Sequence, residues 1–250
     1  MELQVIGTGS SGNCYLLKAG EKRGQSLLLD AGLAADKIVR EAESCNIAGC
    51  LITHEHGDHI KGAEGLARKY GVKVYATAGT IEASGVNDRL TFFNAADYLS
   101  TIQVGDFTVL PFETQHDAKE PCGWLIRFNP TGETTMYATD TYYLKRTFPG
   151  VHYWIVECNY VDEIMNEQLE SGEIPEQLRS RLIKSHMSLR RLSDALKAND
   201  LRKTRTIILV HLSDERSDEE LMVRTIRQQT GKDVWAAEAG KTYRLQLTPF

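Results

Sequence analysis

Short apolar runs separated by glycine-rich turns dominate the first part of the chain. Leu3 to Gly7, Cys14 to Leu17 and Ser26 to Leu29 have the length and composition of β-strands. Ala34 to Glu43 reads as a helix and Cys50 to Thr53 as a short buried strand. Ile60 to Tyr70, with Gly62, Gly65 and apolar residues at helical spacing, predicts a second helix. Val72 to Ala76, Thr101 to Val104, Phe107 to Thr114 and Gly123 to Phe128 predict further strands. A second half opens near Thr134. There Thr135 to Ala138, Trp154 to Glu157, Thr206 to Val210 and Tyr243 to Leu247 predict strands, and Leu189 to Ala198 and Asp218 to Gln229 predict helices. Strands followed by helices in both halves imply an α/β protein with two sheets and helices outside them. No repeat, low-complexity tract or linker interrupts the chain, so residues 1–250 are expected to form one domain.

Composition agrees with a full core: of 250 residues, 42% are hydrophobic and 25% charged. The net charge of −5 and pI of about 5.8 argue against a protein that coats nucleic acid by bulk electrostatics. A nucleotide substrate stays open, because a bound metal supplies positive charge locally. Charge is also segregated. Residues 157–176 hold seven acidic side chains and no Lys or Arg, whereas residues 179–205 hold nine basic ones against Asp194 and Asp200. Two solvated helix faces explain this, as does a basic rim that attracts phosphate. The five cysteines are scattered and form no CxxC pair, so a reduced, cytoplasmic setting is expected. Cys50 and Cys158 lie in apolar runs and read as small core residues. No apolar segment approaches the ~20 residues of a membrane span, so no membrane partner is expected. Residues 1–5 lack a basic and an apolar leader region.

The chemistry concentrates at Thr53-His54-Glu55-His56-Gly57-Asp58-His59, an HxHxDH box between a strand and a helix. Imidazoles and a carboxylate that converge bind divalent metal. Residues two apart at an extended strand end point to one side, so His54 and His56 can share one ion. Asp58 and His59 lie a turn further on and can reach a second. Three more ligand-type residues each follow an apolar strand: His116, Asp140 and His211. Strand ends on one edge of a sheet can converge on one site. His152 has no such context and reads as structural. Gly7 to Asn13 lacks the GxxxxGK[ST] order of a phosphate loop and reads as a tight connection between strands.

This arrangement resembles the metallo-β-lactamase-fold hydrolases over nearly the whole chain. The resemblance implies a four-layer αββα sandwich with a metal site at one edge of the two sheets. It implies that His54, His56 and His116 hold one metal, that Asp58, His59 and His211 hold another, and that Asp140 bridges them. Two divalent ions are implied; His/Asp ligation suits Zn²⁺ and tolerates Mn²⁺ or Fe. Asp rather than Cys at position 140 disfavours β-lactam hydrolysis.

The later part of the chain looks like the tRNase Z branch, and that part together with Ser10 to Cys14 resembles WalJ/YycJ-like nucleases. Ser10-Ser11-Gly12-Asn13-Cys14, Glu157-Cys158-Asn159-Tyr160, His186-Met187-Ser188 and the HxS at His211 carry that likeness. By resemblance, His186 opens a helix and donates a proton to the leaving oxygen, Glu157 orients it, and Asp58 acts at the metals. The implied activity is a phosphodiesterase that cleaves nucleic acid or nucleotides, cyclic nucleotides included, with a metal-bridged hydroxide. The long Gly/Pro-rich arm of tRNase Z is missing from the sequence, which puts pre-tRNA processing in doubt. Thioester or lactone hydrolysis, as in glyoxalase II-like members, is the alternative enzymatic reading. A non-catalytic metal-binding regulatory module is the alternative of another class. Its disadvantage is that all seven ligand positions are filled and leave coordination sites for water. A homodimer is expected by analogy with similar phosphodiesterases.

Overall fold

The computed structural model describes residues 1–19, 24–42, 45–86 and 92–246. The chain begins with β1 (Glu2–Gly7), β2 (Cys14–Lys18), β3 (Gln25–Leu29), α1 (Ala35–Glu41), β4 (Asn46–Leu51), α2 (Gly57–Ile60), α3 (Ala63–Tyr70), β5 (Val74–Ala76), α4 (Ala78–Ala83) and β6 (Phe93–Ala95). It continues with β7 (Ile102–Val104), β8 (Phe107–Glu113), β9 (Cys122–Phe128), β10 (Glu133–Ala138), β11 (Tyr153–Glu157), α5 (Asp162–Glu170), α6 (Glu176–Ser185), α7 (Leu189–Lys197), β12 (Thr206–Val210), α8 (Glu219–Thr230), β13 (Asp233–Ala236) and β14 (Thr242–Arg244). The strands form two mixed sheets, ordered β14-β1-β2-β3-β4-β5-β6 and β13-β12-β11-β10-β9-β8-β7.

Strand periodicity builds the layers. In β3, Leu27 and Leu29 enter the core between the sheets, while Leu28 faces the helices. In β12, Ile208 and Val210 point to the central core and Ile207 and Leu209 to the opposite face. Successive side chains on a strand alternate between faces. Both faces are covered, which is why these strands read as unbroken apolar runs. Ile38 of α1 and Leu66 of α3 cover the first sheet. Leu192 and Leu196 of α7, with Met222 and Ile226 of α8, cover the second. The result is the α/β sandwich expected from the motif.

Several boundaries differ from expectation. The second sheet begins at β7, well before Thr134, because β7, β8 and β9 form an antiparallel meander onto β10. The helix expected over residues 60–70 is split into α2 and α3 at Lys61 and Gly62. Gly62 N donates to Ala31 O across 2.7 Å, and a Cβ there would stand 2.2 Å from Leu33 O. The backbone approach needs glycine, and it interrupts the helix. The expected helix end at Glu43 and strand end at Leu247 lie outside the described residues. Sequence patterning missed α4, α5, α6, β6 and β13. The helices α5 and α6 carry the charge-segregated stretch and pack through a small cluster around Tyr160, Met165 and Ile174.

Candidate metal centre

Parallel pairing of β10, β11 and β12 places three C-terminal ends side by side. Ala138 pairs with Val156, and Glu157 pairs with Val210. Asp140 therefore emerges two residues past β10, and His211 directly past β12. The box leaves the end of β4, and His116 follows the end of β8. Four non-glycine residues have positive φ among the described residues, and three of them are Asp30, Asp140 and His211. Such a conformation is uncommon, with Asp, Asn and His its usual non-glycine occupants. It turns the chain sharply where each strand delivers its side chain.

The seven expected ligand residues meet. His54, His56, His116 and Asp140 form one group, and Asp58, His59, Asp140 and His211 a second. Within each group one ligand-type atom per residue lies within 4.8 Å of the others. Asp140 Oδ2 stands 3.7 Å from His54 Nε2, 3.4 Å from His59 Nε2 and 3.5 Å from His116 Nε2. His211 Nδ1 lies 2.8 Å from Asp140 Oδ1. His56 Nδ1 and His116 Nε2 are 3.2 Å apart.

For three of the rings, a hydrogen bond on the far side sets which nitrogen faces the centre. His116 Nδ1 donates to Ser185 O across 2.9 Å, leaving Nε2 inward. His59 Nδ1 donates to Asp30 Oδ2 across 2.8 Å, again leaving Nε2 inward. His54 Nδ1 is 3.0 Å from Thr53 Oγ1, while its Nε2 is buried without a partner. A buried imidazole nitrogen left unbonded beside three other imidazoles fits a metal, which takes its lone pair. Burial holds His54 well below the ordinary histidine pKa, with the charge of His59 adding to it, so the ring is neutral. Thr53 Oγ1 donates to Asp30 and so accepts from His54 Nδ1, which leaves the lone pair on Nε2. The donor set, nitrogen and carboxylate oxygen without thiolate, suits Zn²⁺, Mn²⁺ or Fe.

Electrostatics around Asp140 run the other way. Burial pushes its carboxyl up, but His211 and His59 overcome that and hold it well below the usual carboxylate range. Burial likewise opposes charge on His211, yet Asp140 and Glu157 push its pKa up to about 10.

Glu157 and His186 adjoin this cluster. Glu157, fully buried at the end of β11, accepts from His186 Nδ1 at 2.7 Å and from Thr141 N at 2.9 Å. Met187 N also donates to its carboxylate, at 3.1 Å. Contrary to the expectation that it opens a helix, His186 closes one. It follows the last residue of α6 and precedes Ser188, the N-cap of α7. Leaving it between two helices frees its ring to line the pocket. That pocket, about 280 Å³, is also lined by His56, Asp58, His116, Asp140, His211 and Asn159. Of the nine basic residues in the 179–205 segment, Arg181 alone lines it; Arg190 and Arg179 pair instead with Asp162 and Glu176.

Two supporting residues escaped the sequence reading. Asp30 accepts from Thr53 N, Thr53 Oγ1 and Tyr137 OH as well as from His59. Asn13 Nδ2 lies 3.1 Å from His59 Nε2, and Gly9 N donates to Asn13 Oδ1 at 3.0 Å. The glycine-rich loop is the expected connection between β1 and β2, and through Asn13 it also packs against the box. His152 lies elsewhere and accepts from Thr134 N at 3.1 Å.

Residues 26–212 match the family described as the beta-lactamase superfamily domain. The chain belongs to the beta-lactamase superfamily. Within it, exodeoxyribonuclease WalJ of Streptococcus pneumoniae is 31% identical over 241 residues, covering 90% of this chain and 86% of that protein. Exodeoxyribonuclease YycJ of Bacillus anthracis is 31% identical over 245 residues, covering 91% and 88%. The metallo-beta-lactamase fold protein YhfI of Bacillus subtilis has a TM-score of 0.73 and 19% identity, with 97% of this chain and 98% of that one covered. That protein shares the architecture described above.

Proposed function

We propose that this chain is a metal-dependent phosphodiesterase that cleaves nucleic acid, DNA foremost. One observation carries the reading. Asp140 belongs to both ligand groups and also to a third, with Glu157, His186 and His211, so a metal site and a proton donor share one pocket. Exodeoxyribonuclease relatives aligned over nine-tenths of the chain support DNA as the substrate.

In this reading His54, His56 and His116 would hold one divalent cation and Asp58, His59 and His211 the other, with Asp140 available to both. Zn²⁺ is the expected occupant, with Mn²⁺ able to replace it. When bound, such a pair supplies Lewis acidity at the scissile phosphate and a nucleophile at neutral pH. The chain's own groups do the rest. Asp58, open to the pocket, would take the proton that water gives up in becoming that nucleophile. His186 holds a proton on the ring edge away from Glu157 and gives it to the leaving oxygen. Positioned proton transfer of this kind contributes about 10²–10⁴ in rate. Glu157 fixes the ring and favours its charged form. Leu178, Leu182 and Leu212 line the same pocket and limit water around the reacting groups.

Residues 1–250 are read as one domain, supported by a single core cluster that draws on both sheets. The five cysteines are free, which supports a cytoplasmic setting. Among the described residues no helix is long and apolar enough to cross a membrane. A homodimer belongs to the same reading, and sedimentation equilibrium tests it.

The functional test is a substrate panel with Zn²⁺ or Mn²⁺: single-stranded DNA, duplex DNA, RNA, a cyclic nucleotide, bis(p-nitrophenyl) phosphate, a thioester and a β-lactam. Cleavage of DNA and of the chromogenic diester, abolished by chelator, is expected. Hydrolysis of the thioester alone removes the phosphodiesterase reading. No turnover on any substrate by metal-loaded protein favours the binding module.

A further inference from the structure

Arg216 lies in the loop between β12 and α8, and its main-chain oxygen accepts from Val161 N across 2.9 Å. That bond ties the loop to the start of α5. The side chain is 13% exposed and lines the pocket shared by His186, His211 and Asp58. Its Nε is buried without a hydrogen-bond partner. Its ionic partner among the described residues is Glu215, 2.9 Å from Nη2 and 70% exposed. In the same pocket stands Arg181 of α6, 3.8 Å from Asp117 and 72% exposed. Among the described residues neither guanidinium is bonded to a proposed metal ligand.

A mostly buried guanidinium with an unbonded donor is costly unless an acceptor arrives. Its planar fork matches the oxygens of a phosphate better than an ammonium does. Glu215 and Asp117 are exposed enough to yield to such an anion. In the proposed reaction the cations take the scissile phosphate, so these arginines face the chain beside it. The pocket, about 280 Å³, is at the small end for ligand sites, the scale of one or two nucleotides rather than a long segment.

We infer that Arg216, assisted by Arg181, forms a subsite for a second phosphate, the one next to the scissile linkage on the same strand. This rests on the phosphodiesterase reading and narrows it. The preferred substrate is a single strand with consecutive phosphates rather than a cyclic mononucleotide, which carries one.

The test uses metal-loaded full-length enzyme and three thymidine trinucleotides. One has both phosphodiesters; each of the others has one linkage replaced by neutral methylphosphonate. The natural trinucleotide is expected to be cut about tenfold more efficiently in kcat/KM than the analogue that keeps the linkage the enzyme cuts and is neutral at the neighbouring one, with the difference in KM. Arg216→Gln is expected to erase that ratio and Arg216→Lys to keep part of it. Each ratio is taken within one preparation, so a loss of folded protein does not alter it. Should Arg216→Gln fail to fold, Arg181→Gln, at an exposed position, is expected to shrink the same ratio. Equal efficiency on all three substrates, or an Arg216→Gln ratio equal to wild type, overturns the inference and leaves the phosphodiesterase reading standing. No cleavage of any of the three overturns that reading and the inference with it.

Discussion

Glu157 Oε1 accepts the Nδ1 proton of His186 across 2.7 Å, on a carboxylate that solvent does not reach. The same oxygen lies 3.0 Å from His211 Nδ1. One buried carboxylate thus orients both the proposed proton donor and a proposed metal ligand. The two roles separate by mutation. His186→Ala is expected to keep its full metal content and to lose about 10²–10⁴ in phosphodiester turnover. Metal analysis beside the chromogenic assay checks this; loss of metal with the ring would make His186 a ligand.

The pH dependence follows from the same pair. Burial opposes charge on His186, but the Glu157 charge and hydrogen bond outweigh it and raise the pKa above the ordinary 6.5. A donor with a raised pKa stays loaded to higher pH. Turnover should therefore hold as pH passes 6.5 and fall only as it passes the folded-state value. Glu157→Gln removes the charge, so the alkaline limb of the kcat profile should move to lower pH. The linked stability has the same sign: it is fully present below the unfolded-state pKa and disappears as pH rises through the raised one. Identical alkaline limbs for the two proteins would refute the assignment.

Asp30 supports the box from beneath, with no exposure to solvent. It bonds His59, Thr53 and Tyr137 at 2.8, 2.8 and 2.6 Å. Removing one partner of a buried charged pair costs about 3–5 kcal/mol. Losing the carboxylate behind a metal-binding histidine weakens metal affinity about 10–100-fold. Asp30→Ala is expected to show both effects, read by urea denaturation and by competitive metal titration. An unchanged metal affinity would mean that His59 needs no such support.

Much of the centre was legible because its parts are local or end apolar runs. The box is contiguous, and His116, Asp140 and His211 each follow a strand whose pattern is plain. Asp30 follows a strand in the same way, but its partners His59 and Tyr137 are distant in sequence, so nothing local marked it. Asn13 is hidden for the same reason. The helices α5 and α6 were unreadable because they bury little beyond Met165 and a few half-buried leucines. That also hid the placement of His186 at the end of α6. Arg216 falls outside the basic segment that drew attention, and only the folding of its loop onto Val161 brings it to the pocket. The start of the second sheet was misplaced because β7 to β9 pair antiparallel and carry no helix between them to signal a unit.

Diffraction from zinc-loaded crystals on both sides of the metal absorption edge is the most direct measurement. Two anomalous peaks about 3.5–4 Å apart are expected. One should be bound by His54, His56 and His116, the other by Asp58, His59 and His211, with Asp140 touching both. A single peak, or none against Asp140, in protein that still cleaves phosphodiesters would contradict the two-metal centre.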